Sequence, residues 1–456
     1  MYQFRAAQRD SATELLKALI RIDTSNPPGN VAPAMELLRS RFESQGIAAT
    51  LVGENSEQIN LVAKIEATPE NSKHRPLILS CHLDVVPADA EVWTHPPFSA
   101  HDDGTCIWGR GAIDMKGFAA MAAITFEALA EKKEQLDRDV IFVAVCDEES
   151  GTNRGSKWLV ENHPDLLGSD PEYVINEVGG FTVHRKGRRF YPVQVAEKGV
   201  AWLRLTVKGT PGHSSLPGQD NAAANLSRAV LAIDNTPLPW HPGEEAARLI
   251  DGFAAPEGSL AQKVASFFLS PTFGPLLLKL LVNEPSRRAA LEAVLRNTAT
   301  PTRLNAGKVI NVVPGSASAD IDGRLAPGQT AEDLVRELED VLLKIPGLRF
   351  EIEILETSPP VSFSKETPLY EAIEGAISKG DAESHVVPSI IQGFTDSKNY
   401  ATLGATCYGF YPLQMPEDLD FASLFHGNNE RIPIEGFHWG CEVLTTMLSS
   451  FLCSEQ

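Results

Sequence analysis

From Ser11 to Ile22, apolar side chains fall at Leu15, Leu16, Leu19, Ile20 and Ile22, a spacing that lines one face of a helix. The breaker Asn26-Pro27-Pro28-Gly29 ends it. A second helix follows, with Met35, Leu37, Leu38 and Phe42 available for a core. Three short runs, Pro76 to Ser80, Val140 to Cys146 and Tyr173 to Ile175, are continuously rather than alternately apolar. Such runs predict strands buried on both faces, as in a sheet covered by helices. Gly117 to Leu136, rich in Ala, Glu, Lys and Leu, predicts one of those helices. The fold class read from this part of the chain is α/β.

At Gly199 the pattern changes. Val200 to Lys208 alternates like a strand with one exposed face, and Asn221 to Ile233 predicts a helix. Strands are expected around Lys308 to Val313 and Ala317 to Arg324, then a helix at Ala331 to Leu343 and an alternating strand at Arg349 to Glu356. The order β-α-β-β-α-β is the split βαβ motif of a small α+β domain. Pro239 to Arg296 does not fit it and is read as a helical insertion. Within it, the apolar stretch Phe267 to Val282, broken by Pro271, Gly274 and Pro275, is read as a buried or subunit-facing helical hairpin. After Pro359 helix and buried-strand patterns return, at Ser389 to Ile391 and Cys407 to Phe410. The expected organisation is a discontinuous α/β domain, 1–198 with 359–456, into which 199–358 is inserted with its helical insertion at about 239–296.

A chain of 456 residues is long enough for two such domains, since single cores stop growing well short of that length. Forty Lys plus Arg stand against 60 Asp plus Glu, a net charge of −20. That balance argues against nucleic acid and anionic membranes as partners. The six cysteines form no CxxC pair, so neither a thiolate metal site nor a disulfide framework is expected. The stretch Met1 to Asp10 has no apolar signal region, and no segment approaches the roughly 20 apolar residues of a membrane span. The expected location is cytoplasmic.

Each buried strand is followed by ligand chemistry: Cys81-His82-Leu83-Asp84, Asp147-Glu148-Glu149-Ser150 and Asn176-Glu177. Ligands of open α/β sheets bind beyond the carboxyl ends of the strands, so these groups can converge. Between the first two lies Trp108-Gly109-Arg110-Gly111-Ala112-Ile113-Asp114-Met115-Lys116-Gly117. It lacks the third glycine of a dinucleotide fingerprint and the Gly-Lys-Ser/Thr of a phosphate loop; Asp114 there is either a turn residue or a ligand. Taken singly, His82 is equally readable as a satisfied buried histidine. With Asp84 two residues on, a carboxylate is available to fix the tautomer of a metal-bound ring. Glu148 and Glu149 can divide the work, one ligating and one taking a proton.

These stretches, with Gly212-His213-Ser214-Ser215, Asn311-Val312-Val313-Pro314, Asp322-Gly323-Arg324, Gly393-Phe394-Thr395-Asp396-Ser397 and Phe425-His426-Gly427-Asn428-Asn429-Glu430, make the chain resemble the M20 family of metallopeptidases across nearly its whole length. The resemblance implies a zinc-peptidase-like catalytic domain, with helices on both faces of a mixed sheet, and an inserted ferredoxin-like α+β lid or dimerisation domain. It implies two Zn2+ per subunit, with Co2+ or Mn2+ as substitutes. Asp114 would bridge them, His82 and Glu177 completing one site and Glu149 and His426 the other. Glu148 would be the general base, Asp84 the orienting carboxylate, and His213, from the partner subunit of a homodimer, the oxyanion stabiliser. Asn311, Arg324, Gly393 and Thr395 would bind substrate, although an Asp-x-Arg strand is also readable as a structural ion pair.

The chain departs from the family where many members have Gly-Gly-Thr-Asp and this one has Gly393-Phe394-Thr395-Asp396, and in carrying Glu177 rather than Asp. Its helical insertion is similar to the carboxypeptidase S and N-acyl-amino-acid hydrolase branch. The implied activity is hydrolysis of an amide or peptide bond in dipeptides or N-acyl amino acids. The alternatives are a deacylase confined to one biosynthetic intermediate and a silent binding protein on the same fold. A serine hydrolase is unsupported, there being no Gly-x-Ser-x-Gly elbow.

Overall fold

The computed structural model describes residues 4–216, 220–419 and 421–453; of the N-terminal stretch read above, residues 1–3 lie outside them. The chain divides into two compact units, Met1–Val195 with Phe363–Pro388 and Thr395–Gln456, and Ala196–Ser362 with Ser389–Phe394. Assignment of the short segment Ser389–Phe394 to the second unit has no counterpart in the hydrophobic pattern.

In the first unit, four parallel strands lie side by side in a mixed sheet, in the order Val140–Val145, Leu77–His82, Tyr173–Asn176 and Thr406–Gly409. Ile59–Ile65 and Ala49–Gly53 extend it antiparallel on one side. The first three central strands are buried at every position. The reason is that both faces carry a core. Leu77 and Leu79 pack on one side with the helices Ala6–Ile20, Lys116–Ala130 and Ile434–Leu452, whereas Ile78, Ile141, Val143 and Val174 pack on the other with Leu159 and Tyr400. Lys116–Ala130 is apolar on most of its circumference and buried along nearly its full length, as a helix clasped between sheet and neighbouring helices must be.

Phe142 sits in an aromatic cluster, its ring centroid 5.0 Å from Phe42 and 5.7 Å from Phe126. Phe142→Ala would leave a cavity too large to collapse and is expected to cost about 3–5 kcal/mol, read as a lowered denaturation midpoint for the first unit.

The second unit holds a four-stranded antiparallel sheet, in the order Thr298–Ala306, Ser316–Leu325, Gly199–Lys208 and Arg349–Ser358. The helices Ala222–Asn235 and Ala331–Leu342 share a core with Ala201, Leu203, Leu205 and Val207, while Trp202 on the opposite face is exposed. One strand expectation is corrected. The sheet strand is Thr298–Ala306, and residues 308–313 form a loop with only the two-residue strand Val312–Val313. Pro301 and the polar residues around it disguise the true strand. An edge position tolerates proline, and the register shifts between Pro301 and Arg303.

The helical insertion forms Glu244–Ala254, Ser259–Ser266, Gly274–Leu281 and Pro285–Leu295. Its apolar stretch is only partly buried within the chain, as at Leu278. Phe267, Phe273, Leu276, Leu280 and Leu281 are all exposed, because the short helix Gly274–Leu281 and the turns before it have more apolar faces than neighbours to cover them. Among the described residues no helix is long and apolar enough to cross a membrane. The cysteines are free thiols.

Candidate metal centre

Parallel strands end at the same edge of a sheet. His82 is the last residue of its strand, while Glu148, Glu149 and Glu177 follow theirs within one to four residues. Asp114 arrives on the loop before the helix Lys116–Ala130, and its peptide bond to Met115 is cis. His426 comes from residue 426 of the loop before the final helix, in the left-handed region at φ 57°, a conformation that non-glycine residues adopt mainly where surrounding structure enforces it.

These residues make two groups that share Asp114. The first is His82, Asp114 and Glu177, and the second is Asp114, Glu149 and His426; within each, candidate ligand atoms lie within 4.8 Å of one another. The shared carboxylate divides its oxygens between them. Asp114 Oδ1 is 3.0 Å from His82 Nε2, and Oδ2 is 3.0 Å from His426 Nε2. Glu177 Oε2 lies 3.5 Å from His82 Nε2, and Glu149 Oε2 3.2 Å from His426 Nε2. Glu148 belongs to neither group but is buried beside them.

The donor chemistry fits cations. His82 Nδ1 lies 2.9 Å from the Asp84 carbonyl oxygen, which can only accept, so the ring proton is on Nδ1. In the neutral ring the Nε2 lone pair then faces carboxylate oxygens, an arrangement that a cation between them makes favourable. Glu149 Oε1 is buried without a hydrogen-bond partner among the described residues, and Asp114 Oδ2 faces only the His426 ring nitrogen, a costly state unless something else coordinates them. Burial, then the charge of Asp114, push the Glu149 carboxyl up to about 7. Burial, then the charge of Glu177, hold Glu148 well above the usual carboxylate range. Such crowding of buried acids is what bound divalent cations would relieve.

The expected role of Asp84 changes in detail. Its backbone carbonyl, rather than its carboxylate, bonds His82; the carboxylate stands 3.6 Å from the ring. Instead Asp84 Oδ1 accepts from the Glu148 amide at 3.1 Å, and Oδ2 accepts from the Glu149 amide at 3.1 Å and from Asn26 Nδ2 at 2.9 Å. A side chain two residues past a strand end reaches the neighbouring strand's turn more readily than its own imidazole. Asp84 thereby sets the turn that aims both glutamates.

Two buried carboxylates were given no role by sequence reasoning. Glu430 accepts from Arg110 Nη1 at 2.8 Å and from the amides of Gly111, Ile113 and Asp114 at 3.0, 2.7 and 3.0 Å. It holds the loop that presents Asp114. Glu430→Ala would strand a buried guanidinium and three amides, at an expected cost of about 3–5 kcal/mol, checked by equilibrium unfolding of metal-free protein. Asp396 accepts a short hydrogen bond from Ser156 Oγ, and burial pushes its carboxyl up to about 7 despite that bond. Both lie inside quoted motifs, but their partners are 320 and 240 positions away, beyond any local signal.

The remaining candidates are placed elsewhere. His213 and Asn311 are exposed on the second unit, side by side: Gly212–His213 pairs with Val312–Val313, and the Ser214 amide donates to the Asn311 carbonyl. His213 Nδ1 accepts from the Ser215 amide at 3.2 Å, so in the neutral ring Nε2 carries the proton. Arg324 Nε lies 3.1 Å from Asp322 Oδ1, with the guanidinium 5.6 Å from the Phe394 ring centroid. The ion-pair reading of that Asp-x-Arg is therefore realised. Gly393 has open space where a Cβ would stand. Thr395 is 1% exposed, and its hydroxyl accepts from Asn176 Nδ2 and the Ser397 amide. It is not at an open surface, because it closes a buried polar network at the end of the Tyr173–Asn176 strand.

The profile of peptidase family M20/M25/M40 matches residues 78–450. A probable carboxypeptidase S-like 2 of Dictyostelium discoideum is 30% identical over 377 residues, covering 80% of this chain and 69% of that protein. The N-fatty-acyl-amino acid synthase/hydrolase PM20D1 of Bos taurus is 29% identical over 464 residues, covering 95% and 86%. Among solved structures, the M20 metallo-carboxypeptidase Sso-CP2 of Sulfolobus solfataricus superimposes with a TM-score of 0.69 at 21% identity, covering 97% of this chain and 99% of that one. The chain belongs to the M20/M25/M40 peptidases, hydrolases of amide bonds.

Proposed function

We propose that this protein is a two-metal amidohydrolase that releases an amino acid from N-acyl amino acids or dipeptides. The observation that carries this reading is the division of Asp114, one oxygen toward the His82 and Glu177 group and the other toward the Glu149 and His426 group. A carboxylate, imidazole and no thiolate suit zinc in a catalytic setting, with cobalt or manganese as substitutes. Two such ions, when bound, supply Lewis acidity that activates a water and polarises the scissile carbonyl.

The chain's own groups do the rest. Glu148, buried and outside both ligand groups, takes the water's proton at its carboxylate and returns it to the leaving nitrogen. Asp84 holds the Glu148 amide so that this carboxylate keeps its aim. His213, with the proton on Nε2, supplies a donor for the developing oxyanion, contributed by the partner subunit of a homodimer. Arg324 and Asn311 hold the substrate's carboxylate. The printed names of the relatives, a carboxypeptidase S-like protein and an N-fatty-acyl-amino acid hydrolase, support substrates with a free carboxylate beside the scissile amide.

The test is amino-acid release by the zinc-loaded protein from a panel of dipeptides and N-acyl amino acids of graded acyl length. Release from at least one class is expected; a fully metal-loaded protein that cleaves none removes this reading. Arg324→Ala is expected to raise KM for a substrate with a free carboxylate about 10–100-fold, the worth of a lost charge-assisted bond. The corresponding carboxamide should be little affected, and equal effects on the two would show that Arg324 does not read the carboxylate.

A further inference from the structure

The helical insertion forms an open pocket of about 420 Å³ whose lining is chemically divided. Leu238, Trp240, Pro271 and Pro275 form an apolar wall, and Lys279, Arg288 and Arg296 bring three cations against the single carboxylate of Glu292. In a chain of net charge −20, this local excess of positive charge runs against the rest of the molecule.

Arg296 is the decisive group. It is 7% exposed, and its Nε has no hydrogen-bond partner among the described residues. Glu292 comes no nearer than 3.7 Å to its Nη2, beyond hydrogen-bonding distance. Leaving a buried guanidinium donor unmet is expensive. Yet the residue is firmly placed. Lys198 Nζ donates to the carbonyls of Ala293 and Arg296, both at 2.8 Å, and the guanidinium stacks 4.5 Å from the Trp240 ring centroid.

The apolar wall is equally fixed. Trp240 Nε1 donates to the Phe268 carbonyl at 2.9 Å. A Cβ at Gly274 would stand 2.3 Å from that same oxygen, so only glycine lets the helix Gly274–Leu281 come this close. That helix gives Pro275 and Lys279 to the cavity and also carries Leu276 and Leu280 into solvent, an apolar continuation outside the cavity.

We infer that this cavity is a binding site for an apolar-tailed monocarboxylate. The carboxylate accepts from Arg296, whose planar donors match its two oxygens, with Lys279 and Arg288 adding charge. The tail lies along Trp240, Leu238 and the prolines. A volume of this size is in the range of small-molecule sites. Two ligands share this chemistry, a free fatty acid and an N-acyl amino acid.

The experiment is calorimetric titration of the zinc-loaded full chain with dodecanoate below its micelle concentration, and with dodecanol as the uncharged counterpart. Saturable dodecanoate binding is expected, at least tenfold tighter than dodecanol, and about tenfold weaker in Arg296→Met. If Arg296→Met does not fold, by circular dichroism, Lys279→Glu on the exposed rim decides, with a several-fold weakening expected. N-dodecanoylglycine, titrated into Glu148→Gln with and without Lys279→Glu, separates the two sources: of the binding that the cavity variant weakens, tighter than dodecanoate assigns the site to acylated amino acids, weaker to free acids. Absence of saturable binding, equal affinity for dodecanol, or dodecanoate affinity unmoved by the cavity variants would overturn the inference. Because the metal centre is itself proposed to take N-acyl amino acids, only binding that the cavity variants weaken counts, and that readout stands apart from turnover.

Discussion

Replacing Glu148 by Ala is expected to lower kcat by about 10²–10⁴-fold, the usual contribution of a positioned general base, while bound metal stays unchanged. The expectation rests on a separation that the geometry makes. Glu149, its neighbour, contributes an oxygen to the group with Asp114 and His426, whereas Glu148 contributes to neither group. On the proposed reading the two adjacent residues take different tasks, while Asp84 holds both amides. Burial, then the charge of Glu177, hold Glu148 above the usual carboxylate range in the metal-free chain, so its carboxylate is a stronger base than a free glutamate. Turnover and metal content measured on one preparation give the check. Loss of metal along with activity would make Glu148 a ligand instead of a base, and retained turnover would remove it from the chemistry.

The second large effect is expected at Asp114. Asp114→Ala removes the one residue common to both groups, so bound metal should fall toward none and hydrolysis with it. His82→Ala is the informative partner, since it strips one group and leaves Asp114, Glu149 and His426 in place. Metal analysis after dialysis should show the Asp114 variant losing more than the His82 variant. Equal losses would mean that the two groups do not divide as the oxygen distances indicate.

Much of the first unit was legible because its signals are local and strong. Leu77–His82 and Val140–Val145 are buried on both faces, and unbroken apolar runs announce that condition without reference to neighbours. The grouping of His82, Asp114, Glu149, Glu177 and His426 could be anticipated through the resemblance and because parallel strands deliver their ends to one edge. What was hidden depends on distant partners or on weak local preference. Glu430 looks like the tail of a loop motif until Arg110, 320 residues away, is seen beside it. Thr298–Ala306 carries a proline and few apolar residues, as an edge strand can. The resemblance implies that Thr395 binds substrate, but whether a hydroxyl faces substrate or closes a network with Asn176 and Ser397 is decided by the fold around it. The apolar stretch from Phe267 is readable as buried or as subunit-facing, and only the first is contradicted, at Phe267, Phe273, Leu276, Leu280 and Leu281, since composition reports apolarity and not what covers it.

The most direct measurement is a zinc titration into metal-free protein, following hydrolysis of an N-acyl amino acid and bound metal together. Activity absent from the metal-free chain and reaching its plateau at two bound ions is the predicted result. Full hydrolysis by the metal-free chain would contradict the account.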